Sequence, residues 1–143
     1  MNRLFLTLFF SFLSINLSAQ LDSQPSVSTS TTGGRFEILQ SPIYSTLLFR
    51  LDKYTGDVYI AKFDIGDLKW EKMPIPGLKL YSKYDKKNTI NYQLYLSGST
   101  VVNSFLLNIH NGVTFRLCHD SSVDTWFWSL STLSYVYEPE NKE

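Results

Sequence analysis

The chain has 143 residues, 13 Lys and Arg against 13 Asp and Glu, a formal net charge of +0 and a single cysteine. That balance gives no electrostatic draw toward phosphates or anionic lipid, so no nucleic-acid partner is expected. One thiol, Cys118, cannot form an internal disulfide, and the length suits one domain held by its own apolar core.

In chain order, residues 1–19 have the form of a secretory signal peptide. Arg3 supplies the positive charge, residues 4–13 (LFLTLFFSFL) the apolar run, and Ser18-Ala19 a small-residue junction before Gln20. The run is short for a membrane anchor and is followed by Ser14 and Asn16, so no membrane span is expected after cleavage. Losing Arg3 would leave 12 basic residues against 13 acidic, in a secreted or periplasmic product. Residues 20–34 (QLDSQPSVSTSTTGG) hold only two aliphatic side chains, Leu21 and Val27, and read as a flexible Ser/Thr-rich leader.

From Arg35 the signals are those of strands: short β-branched and aromatic runs separated by Gly, Pro, Asn and Asp. They fall at 36–40, 45–51, 58–63, 68–73 and 78–81, then at 92–96, 101–108, 113–118, 125–130 and 134–137. No long window has a helical apolar period, so no substantial helix is expected. The second set repeats the first. Shifting the chain by 56 lays 35–82 over 91–138 without a gap. The identities are Ser41/Ser97, Phe49/Phe105, Leu51/Leu107, Gly56/Gly112, Asp64/Asp120, Trp70/Trp126 and Tyr81/Tyr137. Self-similarity at such a period indicates duplication of a supersecondary unit. The expected fold is therefore all-β: two tandem antiparallel meander repeats of four or five strands each, related by a pseudo-twofold. They would form a sandwich or a small barrel within a single β domain, 35–143. Residues alike in both copies are read as structural. The core face is expected to hold Phe36, Ile38, Phe49, Leu51, Tyr59, Ala61 and Trp70 with their counterparts, leaving Cys118 on the other face.

The sharpest local feature is the hairpin Leu51-Asp52-Lys53-Tyr54-Thr55-Gly56-Asp57, repeated as Asn108-Ile109-His110-Asn111-Gly112. Gly56 and Gly112 are placed to take the positive φ that closes such a loop. Leu51, Asp52, Thr55 and Gly56 resemble the L-D-x-x-T-G turn of blades in quinoprotein-type β-propellers. The resemblance implies shared turn chemistry and no more. The tryptophan those blades place after the glycine is replaced by Tyr59 and Ile60, and two copies are fewer than the typical 4–8 blades. No quinone or other cofactor is carried over.

Cys118-His119-Asp120-Ser121-Ser122 gathers nucleophile, base and acid types, but neighbours on a strand point to opposite faces, and Asp120 repeats Asp64 as a turn residue. The two histidines and one cysteine have no metal-ligand spacing, so no metal site is expected. No catalytic residue is assigned. The directional difference between copies is aromatic: Lys69-Trp70-Glu71-Lys72 becomes Thr125-Trp126-Phe127-Trp128. The new rings make Phe127 and Trp128, with Tyr135 and Tyr137 nearby, the candidate binding residues. The competing reading is a strand buried on both faces. The functional expectation is an exported, non-enzymatic binding or interaction module, for example a small inhibitor or immunity-type protein with a protein partner. The alternatives are a carrier of a small apolar or sugar ligand inside a barrel, or a hydrolase.

Overall fold

The fold is described here from a computed structural model, for residues 24–64 and 66–131. Its organising unit is the glycine-closed hairpin. The Gly56 N–H donates to the Asp52 carbonyl at 2.8 Å, the Asp52 carboxylate accepts from the Tyr54 N–H at 3.0 Å, and Gly56 sits at φ 74°. The second copy is built the same way. Gly112 donates to the Asn108 carbonyl at 2.9 Å, the Asn108 side-chain oxygen accepts from His110 N–H at 3.0 Å, and φ is again 74°. Asp and Asn are interchangeable here because the turn uses only a side-chain oxygen two residues before the donor.

Around these turns run nine strands: β1 (Val27–Ser28), β2 (Phe36–Gln40), β3 (Leu48–Asp52), β4 (Val58–Asp64), β5 (Asp67–Lys72), β6 (Tyr92–Leu96), β7 (Phe105–Asn108), β8 (Thr114–Asp120) and β9 (Thr125–Leu130). They form two antiparallel sheets, ordered β2-β3-β4-β5 and β1-β6-β7-β8-β9. Each repeat is thus a four-stranded meander, and the all-β architecture is that of a sandwich of meanders. The fifth strand expected at 78–81 is instead a single helical turn, α1 (Leu78–Tyr81), entered from Gly77 at φ 84°. The stretch at 134–137 and the signal segment lie outside the described residues.

Backbone bonds lace the sheets together where the chain crosses. The Lys53 carbonyl accepts from the Asn91 and Tyr92 N–H groups at 2.8 and 3.0 Å, and the Trp128 N–H donates to the Pro74 carbonyl at 2.9 Å. Between the sheets Phe49, Leu51, Val58 and Ile60 meet Tyr92, Leu94, Leu106, Phe115, Leu117 and Trp128. The Phe49 and Trp128 rings meet edge to face, with centroids 6.4 Å apart.

Three further expectations need correction. First, residues 24–34 are not a loose leader. Val27–Ser28 extends the second sheet beside β6, and Thr29 is buried, exchanging bonds with the Leu94 backbone. The Lys53 side chain, only 1% exposed, reaches the Thr32 carbonyl at 3.0 Å, the Ser30 carbonyl at 3.4 Å and Glu37 Oε2 at 3.0 Å. Composition counts apolar burial alone and so misses a segment ordered by hydrogen bonds and one buried cation.

Second, the gap-free match fails in the last strand. Opposite Asp64 stands Asp67, but opposite Asp120 stands Thr125, so the second turn is two residues longer. Trp70, paired with Ala61, therefore occupies the ladder position of Trp128, paired with Leu117, and not that of Trp126.

Third, the repeats bury opposite faces. Phe49, Leu51, Val58 and Ile60 face the core in the first meander, whereas in the second the buried set is Leu106, Asn108, Phe115 and Leu117. Their counterparts in the first, Arg50, Tyr59 and Ala61 among them, lie on its outer face, with Phe36 and Ile38, which are 56% and 57% exposed. A pseudo-twofold would bring equivalent faces together. These sheets instead stack in the same sense, front against back.

Candidate functional site

The outer face of the first meander follows from its register. Ile38 pairs with Arg50, Arg50 with Tyr59, Tyr59 with Lys72, and Ala61 with Trp70. Directly opposed residues share a face. Arg50 alternates with the buried Phe49 and Leu51, so its row must point outward. Its guanidinium lies 4.4 Å from the Tyr59 ring centre and 5.1 Å from that of Trp70. Such stacking is worth about 0.5–2 kcal/mol, rising as water is excluded. Arg50 Nε is buried and has no hydrogen-bond partner among the described residues. Phe36 and Ile38 flank the stack, and Phe63 and Leu68, paired with each other, extend it to the β4–β5 end. The result is an exposed apolar and aromatic face centred on one delocalised cation.

The residues expected to form the site separate. Trp128 is 0% exposed and points into the core, where its indole N–H has no acceptor among the described residues. Phe127, opposite Cys118, faces outward from the second sheet and is half-buried. Adjacent strand residues diverge, so the two rings cannot share one patch. Tyr135 and Tyr137 lie outside the described residues. Sequence reasoning does not find the face around Arg50, because comparison with the second copy puts Phe36, Ile38, Tyr59 and Trp70 in the core. The signal that would have exposed it was Arg50 itself, alternating with Phe49 and Leu51.

Cys118 and His119 do diverge to opposite faces, opposite Phe127 and Trp126 respectively. Asp120 Oδ1 accepts from the Ser122 N–H at 2.9 Å and from its hydroxyl at 2.6 Å, a turn arrangement. His119 Nε2 is 2.9 Å from Asp124 Oδ1, and its ring lies 4.4 Å from that of Trp126. Among the described residues no three His, Cys, Asp or Glu side chains converge on a metal-sized site.

A polar cleft of about 550 Å³ opens where the first hairpin meets the link between repeats, lined by Arg35, Asp57, Lys72, Asp85 and Lys86 among others. Its carboxylates are already engaged. Asp57 takes Lys72 Nζ at 2.8 Å, and Asp85 accepts from Asn108 Nδ2 at 2.8 Å and the Tyr92 hydroxyl at 3.1 Å. Beside the cleft, Arg35 forks onto Asp52. Burial raises the Asp52 carboxyl, but the Arg35 and backbone bonds outweigh it, and its pKa lies below the usual value. Asp85 moves the other way: burial raises its pKa, and the Tyr92 and Asn108 bonds recover only part of the shift.

A group with a raised carboxyl pKa binds its proton more readily folded than unfolded, so its destabilising effect is present at neutral pH and is relieved as pH falls through the folded pKa. Asp85→Asn keeps an acceptor for Asn108 without the charge. The variant is expected to match or exceed the parent in urea midpoint at neutral pH, and to lose that advantage as pH falls toward the carboxylate range. A gap that widens on acidification would contradict the burial assigned to Asp85.

Comparison with family models, with curated proteins and with solved structures finds no match for this chain.

Proposed function

We propose that this chain is an exported, non-enzymatic interaction module that binds a protein partner through the outer face of its first meander. The observation that carries the reading is the Arg50 stack on Tyr59 and Trp70, flanked by the exposed Phe36 and Ile38. Arg and aromatic side chains dominate interface hot spots, and a contiguous apolar face is normally left in water only where something covers it. Export rests on the Arg3, apolar-run and Ser18-Ala19 pattern. A carrier would need room between the sheets, and Phe49, Phe115 and Trp128 occupy that space. A hydrolase would need converging groups, and those of residues 118–122 serve a turn or diverge.

The test is capture from the native exported fraction on the immobilised protein, with Trp70→Ala beside the parent. Affinity for the captured protein should fall by roughly 2 kcal/mol, as for an interface hot spot, with a much smaller change in thermal stability. Undiminished capture by Trp70→Ala, with loss in Phe127→Ala, would move the site to the second sheet.

A further inference from the structure

Among the described residues, the same-sense stacking of the meanders leaves a matched pair of faces without partners. The outer face of the first sheet corresponds by position to the buried face of the second: Phe36 to Tyr92, Ile38 to Leu94, Tyr59 to Phe115, and Trp70 to Trp128. The outer face of the second corresponds to the buried face of the first, with Phe105 at the place of Phe49 and Leu107 at that of Leu51. Each outer face therefore keeps the kind of side chain that its counterpart uses inside. A twofold sandwich would have consumed both equivalent faces at once. A front-to-back stack ends in one free front and one free back, and stacked repeats normally close such ends with polar caps. Among the described residues neither end is capped: Phe36 and Ile38 stay exposed on one, and Tyr95, stacked on Phe105, is exposed on the other.

We propose that the occupant of the Arg50 face is a second copy of this chain, docked head-to-tail. The outer face of one copy's first sheet would pack on the outer face of the next copy's second sheet and so continue the internal packing. The proposal rests on the reading of this chain as an interaction module and names its partner. Such an interface is heterologous: it makes a ring if the rotation closes and a filament if it does not. The contact is weaker than the internal one because Arg50 and Arg116 stand where the internal interface has Leu106 and Ile60. Cations on both faces repel, so screening by salt strengthens the association.

The experiment is sedimentation velocity of the purified protein across a concentration and salt series, with two face variants. Ile38→Lys blocks the first face and Leu107→Lys the second. Lysine is used because a glutamate would pair with the arginine across the contact. The parent should show a mass that rises with concentration past the dimer, or settles at a closed ring, and increases with salt. Each variant alone should be monomeric, its association constant at least tenfold lower, with an unchanged thermal midpoint. An equimolar mixture of the two should form a dimer and stop there, since one intact interface remains. Should Leu107→Lys fail to fold, Tyr95→Lys tests the same face.

A monomeric parent throughout would overturn the proposal. So would a mixture that stays monomeric, or one variant that still dimerises alone, which would indicate a symmetric contact of one face with itself. If the parent is monomeric yet Trp70→Ala loses capture of a different exported protein, the head-to-tail assembly fails and the interaction module stands. If neither effect is seen, both fail.

Discussion

Trp128→Ala is expected to cost about 3–5 kcal/mol of stability, the range for removing a large ring from a packed core. The side chain is fully buried, meets Phe49 edge to face across the sheets, and lies on the strand whose backbone N–H holds the Pro74 carbonyl. A loss of this size in a domain of about 100 residues removes a large part of the usual 5–15 kcal/mol. The indole N–H sharpens the test, because it has no acceptor among the described residues. Trp128→Phe discards that unpaired donor and keeps a ring against Phe49, so it should cost only about 1–2 kcal/mol. Urea unfolding of the three proteins gives the ordering directly. A midpoint nearly unchanged in Trp128→Ala would show that the ring is not core and would return it to the list of surface contacts.

The second large effect separates two glycines that the repeat makes equivalent. Gly56 and Gly112 share φ 74°, which costs an L side chain about 1–2 kcal/mol. Around Gly112 nothing lies within 4 Å of an added Cβ, so Gly112→Ala should show that backbone cost alone. At Gly56 the added carbon would stand 2.9 Å from two carbons of the Tyr92 ring. Tyr92 is fully buried and tied through its hydroxyl to Asp85, so the ring has little room to withdraw. Overpacking then adds about 1–3 kcal/mol, and Gly56→Ala should be the worse variant by that margin. Equal losses in denaturant unfolding would mean that the Tyr92 ring yields freely.

The asymmetry between these glycines shows how little of the packing around a repeat is itself repeated. In each copy the turn is local, built from a carbonyl, a side-chain oxygen two residues before its donor and a glycine, and it was legible in the chain. What lies over the turn is not local. Tyr92 covers Gly56 because the second meander begins there, bound to the Lys53 carbonyl. Beyond the second meander the described residues hold no third repeat to cover Gly112. The candidate site was hidden for the same reason. Phe36, Ile38, Tyr59 and Trp70 look like core when compared with Tyr92, Leu94, Phe115 and Trp126, and only the stacking sense puts them outside.

The all-β class, two tandem meanders, the strands at 36–40, 92–96 and 125–130, and the paired glycine turns were all legible in the residues, whereas the count of four strands in each meander was not. These depend on turn chemistry and on residues a few positions apart. Tertiary structure alone decided which face of each sheet is buried, the two-residue shift that aligns Trp70 with Trp128, and the recruitment of Val27–Ser28 as a ninth strand. Alternation along a strand separates two faces but ranks them only when one is polar. Here both faces carry rings, so the choice fell to the other sheet: whichever face it covered became the core, and the opposite one, with Arg50 at its centre, has no second layer over it among the described residues.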